Sequence, residues 1–144
     1  MSKRYKASFA CYLLLVLFLF AFGLRYLLKT ELTGYHALAL GQSLGAMPPS
    51  QQIAFLTSYR ADGAGILAIA VAMSFLLFGP FRRGEAWSRW AMTGTALCYA
   101  ALSLYANLAF TEATGIVAPW PVSLAILAVA ALGHVLAMSP KGGI

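Results

Sequence analysis

Four stretches of the chain are almost purely apolar, and the polar residues gather between them. The runs cover about residues 8–28, 63–79, 90–110 and 120–138. Each approaches the ~20 residues that an α-helix needs to cross ~30 Å of hydrocarbon. The first is rich in Leu and Phe and carries Arg25 near its far end; Gly79-Pro80 stops the second, and Pro140 closes the fourth. This pattern predicts an all-α membrane protein: a single transmembrane domain over 1–144, folded as an antiparallel four-transmembrane-helix bundle.

Between the first two runs, residues 29–62 form an external segment of mixed character. Pro48-Pro49-Ser50 reads as a helix start, with proline in the first turn. From there Ile53, Leu56, Tyr59 and Gly63 recur at helical spacing. The spacing predicts a short interfacial helix on the outer surface that runs or bends into the second span, leaving Asp62 just below the membrane boundary. Residues 35–44 form a lesser surface turn or helix. Small residues mark packing faces, because lipid is as apolar as leucine and helices associate in it by close approach. The second span offers Ala64, Ala68 and Ala72, and the fourth Ser123, Ala130 and Ala137 with Gly133 beside them. Thr95, Tyr99, Ser103 and Asn107 share one face of the third, expected to point inward. The first span is bulky on every side, which predicts that it is the most lipid-exposed helix.

Composition sharpens the class. Hydrophobic residues make up 61% of the chain and charged ones 10%, against about 25% charged in soluble domains. Much of the surface must therefore face lipid. The net charge of +6 comes from short clusters of Lys and Arg between the apolar runs, which is a topology signal and not a nucleic-acid stripe. With the N-terminus inside, Lys3, Arg4, Lys6, Arg82, Arg83, Arg89 and Lys141 are cytoplasmic, while Arg25, Lys29 and Arg60 lie outside. This excess satisfies the positive-inside rule and leaves both termini in the cytoplasm. Trp87 and Trp90 then sit at the inner interface and Trp120 at the outer one. The long first apolar run reads as an uncleaved signal anchor.

Candidate chemistry is sparse. Cys11 and Cys98 lie singly inside apolar runs, where a free cysteine is a small core residue; no metal-ligand spacing accompanies them. The Thr95, Tyr99, Ser103, Asn107 stripe lines a ligand pocket between helices or, the reading favoured here, makes interhelical hydrogen bonds. His134 lies about one turn from the inner end of the fourth span, a functional candidate by its depth. His36 belongs to the outer segment, too far away for the two histidines to clamp one haem within a protomer, and no cofactor is expected. Arg25, Lys29, Glu31, His36, Arg60, Asp62 and Glu112 gather at the outer mouth. They form either a binding site or a structural staple, with an Arg25–Asp62 ion pair at its centre.

The inner link Pro80-Phe81-Arg82-Arg83-Gly84-Glu85-Ala86-Trp87-Ser88-Arg89-Trp90 combines a turn glycine, an acid for the positive start of the third helix and basic and aromatic anchors. It resembles the arginine-glycine-glutamate-tryptophan connection of small DoxX-like four-helix membrane proteins of bacteria. The run Arg60-Ala61-Asp62-Gly63-Ala64-Gly65 is similar to theirs in placing an arginine before a glycine pair. The resemblance, over roughly residues 55–110, implies the fold and a bacterial inner membrane, and carries no catalytic residue. One branch of that group has a quinone-linked oxidoreductase role. The leading expectation is a non-enzymatic binding module or a subunit of a larger membrane complex, with the bilayer, other membrane subunits or further copies of itself as partners. A quinone-linked oxidoreductase subunit is the alternative, in which Tyr99, Ser103 or His134 holds the head group. A small-molecule transporter ranks below it, because no acidic residue lies at mid-membrane.

Overall fold

Local chemistry sets each helix boundary in the computed structural model, which describes residues 2–138; Pro140 and Lys141, given roles above, lie outside them. The Ser2 hydroxyl accepts the Tyr5 amide and opens α1, Lys3–Leu27. A short helix α2, Gly34–Leu40, ends at Gly41, whose φ of +64° suits only glycine well. A single 3₁₀ turn, Leu44–Ala46, leads to α3, Pro49–Leu76, with proline at its first position. The anticipated interfacial helix and the second span are thus one continuous helix of 28 residues, about 42 Å long. Gly79-Pro80 does not stop the chain at once. It widens the helix into a π-turn over Leu77–Phe81, the response expected where proline supplies no N–H. Gly84, at φ +78°, makes the tight turn into α4, Ala86–Thr114, and Gly115 at φ +70° ends it. The last helix, α5, covers Trp120–Ala137.

Three helical stretches are long and apolar enough to cross a membrane: α1, the run from Pro49 through Phe81, and α5. The remaining long helix, α4, has ample length at 29 residues but not the apolarity, because its polar stripe dilutes it. Large apolar side chains such as Leu17, Phe75, Leu102 and Val135 point away from the protein, each more than half exposed. An apolar perimeter of this kind requires an apolar surrounding.

The four long helices pack side by side around α1, which lies against both α3 and α5, while α4 lies mainly on α5. This corrects the expectation that α1 is the lipid-exposed member. Ser8, Tyr12, Leu15, Val16, Leu19 and Gly23 recur every three or four residues and are buried. Its bulky side chains are accommodated by small residues on the partner. A Cβ added at Gly133 of α5 would sit 3.1 Å from the Tyr12 ring, and the Ser8 hydroxyl donates to the Gly133 carbonyl at 2.6 Å. Ser123, Ala130, Gly133 and Ala137 are indeed the buried face of α5.

The face assigned to α3 is also corrected. Ala64, Ala68 and Ala72 are exposed, and the buried face is Tyr59, Gly63, Ile66, Ala70 and Met73. Gly63 crosses α1 at Gly23, so closely that a Cβ there would collide with the Leu27 amide and come within 2.7 Å of the Gly23 carbonyl. The segment between α1 and α3 is held by its own small cluster of Leu32, Leu44, Met47 and Tyr59.

Candidate functional site

The contact pattern closes three seams and leaves the fourth, between α3 and α4, sparsely joined. A cleft of about 450 Å³ opens there, toward the end that carries α2. Asp62, Ile66 and Ile69 from α3 form one wall, and Tyr99, Ser103 and Asn107 from α4 the other. Tyr26 of α1 and Tyr35 and His36 of α2 complete its mouth, with Tyr59 beside them. Past Ile69, Tyr99 and Ser103 it continues into a groove of about 570 Å³, whose further lining is Gly94, Thr95, Cys98 and Leu102. Both volumes fall in the ~300–1,000 Å³ range of small-molecule sites.

The polar stripe of α4 is divided by this geometry. Ser103 meets the buried Ser123 hydroxyl of α5 at 3.1 Å, and the Asn107 amide donates to the Ser103 carbonyl at 2.9 Å. These two serve the α4–α5 seam as well as the cleft. Thr95 and Tyr99 face the open seam, and the Tyr99 hydroxyl has no hydrogen bond among the described residues. The Asp62 carboxylate lines the same space with neither an ion pair nor a hydrogen bond among them.

Aromatic rings frame the mouth. His36 stacks on Tyr59 at 5.7 Å and meets Phe110 edge-on at 5.2 Å, while Tyr35 meets Phe110 at 5.3 Å. These contacts lay α2 across the seam, from α3 to α4. The hydroxyls of Tyr59 and Thr33 lie 2.6 and 2.8 Å from His36 Nδ1, an arrangement that suits a neutral ring accepting at that nitrogen. Burial first, and then the nearby Lys29 charge, push the His36 imidazole below its ordinary range, with Asp62 opposing them. Lys29 itself rests over the Tyr59 ring, 5.8 Å from its centre.

The anticipated mouth cluster does not assemble as a unit. Only His36 and Asp62 reach the cleft; Arg25, Glu31, Arg60 and Glu112 are exposed and line none of it. Arg25 and Asp62 form no ion pair. Arg25 sits two positions past the buried Gly23, about 200° around the helix, and so points away from the seam with α3. Cys98 is exposed on the groove, contrary to the core reading, and Cys11 is half-buried. Among the described residues no three His, Cys, Asp or Glu side chains come together as a metal site would need.

His134 belongs to the opposite end, packed on Trp90 at 4.5 Å. Its Nδ1 lies 2.8 Å from the Thr93 hydroxyl, which is 2.7 Å from the buried Tyr12 hydroxyl. Phe110, beside His36, and Trp90, beside His134, are twenty residues apart on α4, hence roughly 30 Å. The two histidines are therefore separated by about the length of a span. At the turn that leads into α4, Arg83 and the Trp87 indole both bond the Glu85 carboxylate at 2.8 Å, and these bonds hold it below the usual carboxylate range.

The residues that sequence reasoning missed are Tyr26, Tyr35 and Tyr59, which join the anticipated Tyr99 at the cleft. Four of the seven tyrosines, at positions 26, 35, 59 and 99, line this one cleft. The grouping of Tyr26, Tyr35 and Tyr59 in and beside residues 29–62 was the available signal. Fold and cleft together define an all-α protein with three helices fit to cross a membrane and a lateral opening between two of its long helices. Compared with family models, curated proteins and solved structures, the chain matches none of them.

Proposed function

We propose that this protein is a non-enzymatic, multi-pass membrane binding module that takes an amphipathic molecule from the surrounding lipid into the cleft between α3 and α4. In this reading α4 is a fourth crossing, completing an antiparallel four-helix transmembrane bundle with both termini cytoplasmic in a bacterial inner membrane, as the DoxX-like resemblance implies. The α2 end then faces the periplasm. The observation that carries the reading is the open seam itself: Asp62 and Tyr99 stand in it with no hydrogen bond or ion pair among the described residues, whereas polar groups along the other seams are satisfied. Polar groups at membrane depth need partners, and a bound molecule with a polar end supplies them.

Gly65 provides the test. It lines the cleft, and a Cβ there meets nothing within 4 Å. Gly65→Phe should therefore fill the cleft without disturbing the helix crossings. Wild-type protein purified in mild detergent should retain an amphipathic molecule detectable by native mass spectrometry, and Gly65→Phe should lose it with an unchanged melting temperature. Equal retention by both would overturn the reading. Reporter fusions after Glu85 and after Met138 should both read cytoplasmic and one after Gly45 periplasmic; a periplasmic signal after Met138 would remove α4 as a crossing.

A further inference from the structure

From the same cleft we infer that the ligand is a cationic amphiphile: an ammonium head group held by Asp62 among aromatic rings, with an apolar body lying along α3 and α4. This rests on the reading of the cleft as an amphiphile site and adds the chemistry of its occupant. The head-group end is defined by charge. Asp62 is the one acidic side chain in the lining, and His36 beside it is held toward its neutral form. The cations of the neighbourhood stay out: Lys29 lies over the Tyr59 ring, and Arg25 and Arg60 are exposed and line none of the cleft. A carboxylate without a counter-ion among π-faces is the arrangement that recognises an alkylammonium, which pairs with the charge and rests on the rings. Tyr26, Tyr35 and Tyr99 line the cleft with Asp62 and supply those rings, whereas the Tyr59 ring is already taken by His36 and Lys29.

The shape agrees with that chemistry. The polar end of the space lies beneath α2, and the continuing groove runs away from it past Ile69, Cys98 and Leu102. An amphiphile in the leaflet on the α2 side has this orientation already, head at the boundary and tail toward the bilayer midplane. It enters sideways through the open seam, and α2 need not move far to admit it. A negative head group is disfavoured by Asp62, and a neutral one leaves the carboxylate unpaired.

The test compares three photoreactive probes sharing one C12 chain with a diazirine, and bearing a trimethylammonium, a glucoside or a sulfate head. Each is added to the full-length protein in nanodiscs of zwitterionic lipid, and the labelled peptides are mapped by mass spectrometry. The ammonium probe should label α3 and α4 around Ile69 and Leu102 at about tenfold lower concentration than the glucoside probe, as one well-placed charge contact implies. Asp62→Asn should erase that advantage, whereas Glu112→Gln, which removes an exposed acid off the cleft, should not. Melting temperatures of the two variants confirm that both are folded, and Tyr35→Leu, which removes one ring and leaves the charge, should weaken the ammonium probe alone. Equal labelling of the cleft by all three heads, or an ammonium preference that survives Asp62→Asn, overturns the cationic ligand while leaving the amphiphile site standing. Even labelling of every exposed helix face, with no enrichment at the cleft, overturns the site itself.

Discussion

Around α1 the helices touch closely; between α3 and α4 they scarcely meet. The α1–α3 seam is set by backbone approach, Gly23 against Gly63, and the α1–α5 seam by Tyr12 seated on Gly133. Polar groups there are closed into short chains, as in Tyr12–Thr93–His134. Along the α3–α4 seam the same residue types appear, but Asp62 and Tyr99 end in open space. The difference teaches how to separate two histidines that look alike in sequence. His134 completes a buried network, whereas His36 fastens a short helix across the mouth of a cleft.

The largest effect should come from forcing the closest crossing apart. Gly63→Ala places a methyl group against the Leu27 amide and the Gly23 carbonyl, rigid backbone that cannot swing aside. We expect a loss of about 3 kcal/mol, seen as a lowered thermal transition in mild detergent. Ala68→Leu, on an exposed face of α3, should shift it far less. Equal shifts would mean that the α1–α3 seam is not where the structure puts it. Next comes the buried chain. Thr93→Val leaves the fully buried Tyr12 hydroxyl without a partner, at a cost of about 1–3 kcal/mol. Adding Tyr12→Phe should recover part of that loss, because the orphaned hydroxyl is then gone; strict additivity would argue against the pairing.

In the open seam the expectation reverses. Asp62→Asn removes a charge with no ion pair or hydrogen bond among the described residues, so it should not lower the melting temperature, and Tyr99→Phe should move it by no more than about 0.5 kcal/mol. A large destabilisation in either would show that the residue holds the fold together.

Helix positions were legible because apolar length and turn chemistry are local: Gly84, Gly115 and Pro49 sit where their backbone preferences require. The buried face of α5 was legible as well, since its small residues recur at helical spacing. The face of α1 was not, because bulky apolar residues surround the helix and the small partners that receive them lie on other helices. Ala64, Ala68 and Ala72 misled for the complementary reason: small residues permit close approach without demanding it. The cleft was half legible. Its polar residues were singled out as two separate groups, the mouth charges and the α4 stripe. Their meeting depends on α3 and α4 standing apart, a property of the assembly that no single helix encodes.

The finest test of the comparison is pH, acting where α2 closes the mouth. Burial and Lys29 lower the folded-state value of His36, while in the unfolded chain it lies near the ordinary ~6.5. Below that value the unfolded segment binds a proton that the folded one refuses, so folding of this end weakens as pH falls from ~6.5 toward the folded value. Protonation also removes Nδ1 as an acceptor for the Tyr59 and Thr33 hydroxyls. Lys29, whose charge opposes the imidazolium, adds to the loss, and Asp62 offsets part of it. Hydrogen exchange of Thr33 and of the α2 amides, corrected for intrinsic rates, should therefore speed up severalfold between about pH 7.5 and 5.5. The N-terminal half of α1, packed at the opposite end, should not respond. In His36→Gln the α2 amides should exchange faster at both pH values and lose the dependence. If the variant keeps the wild-type pH response, the titrating group at the mouth is Asp62 and not the histidine.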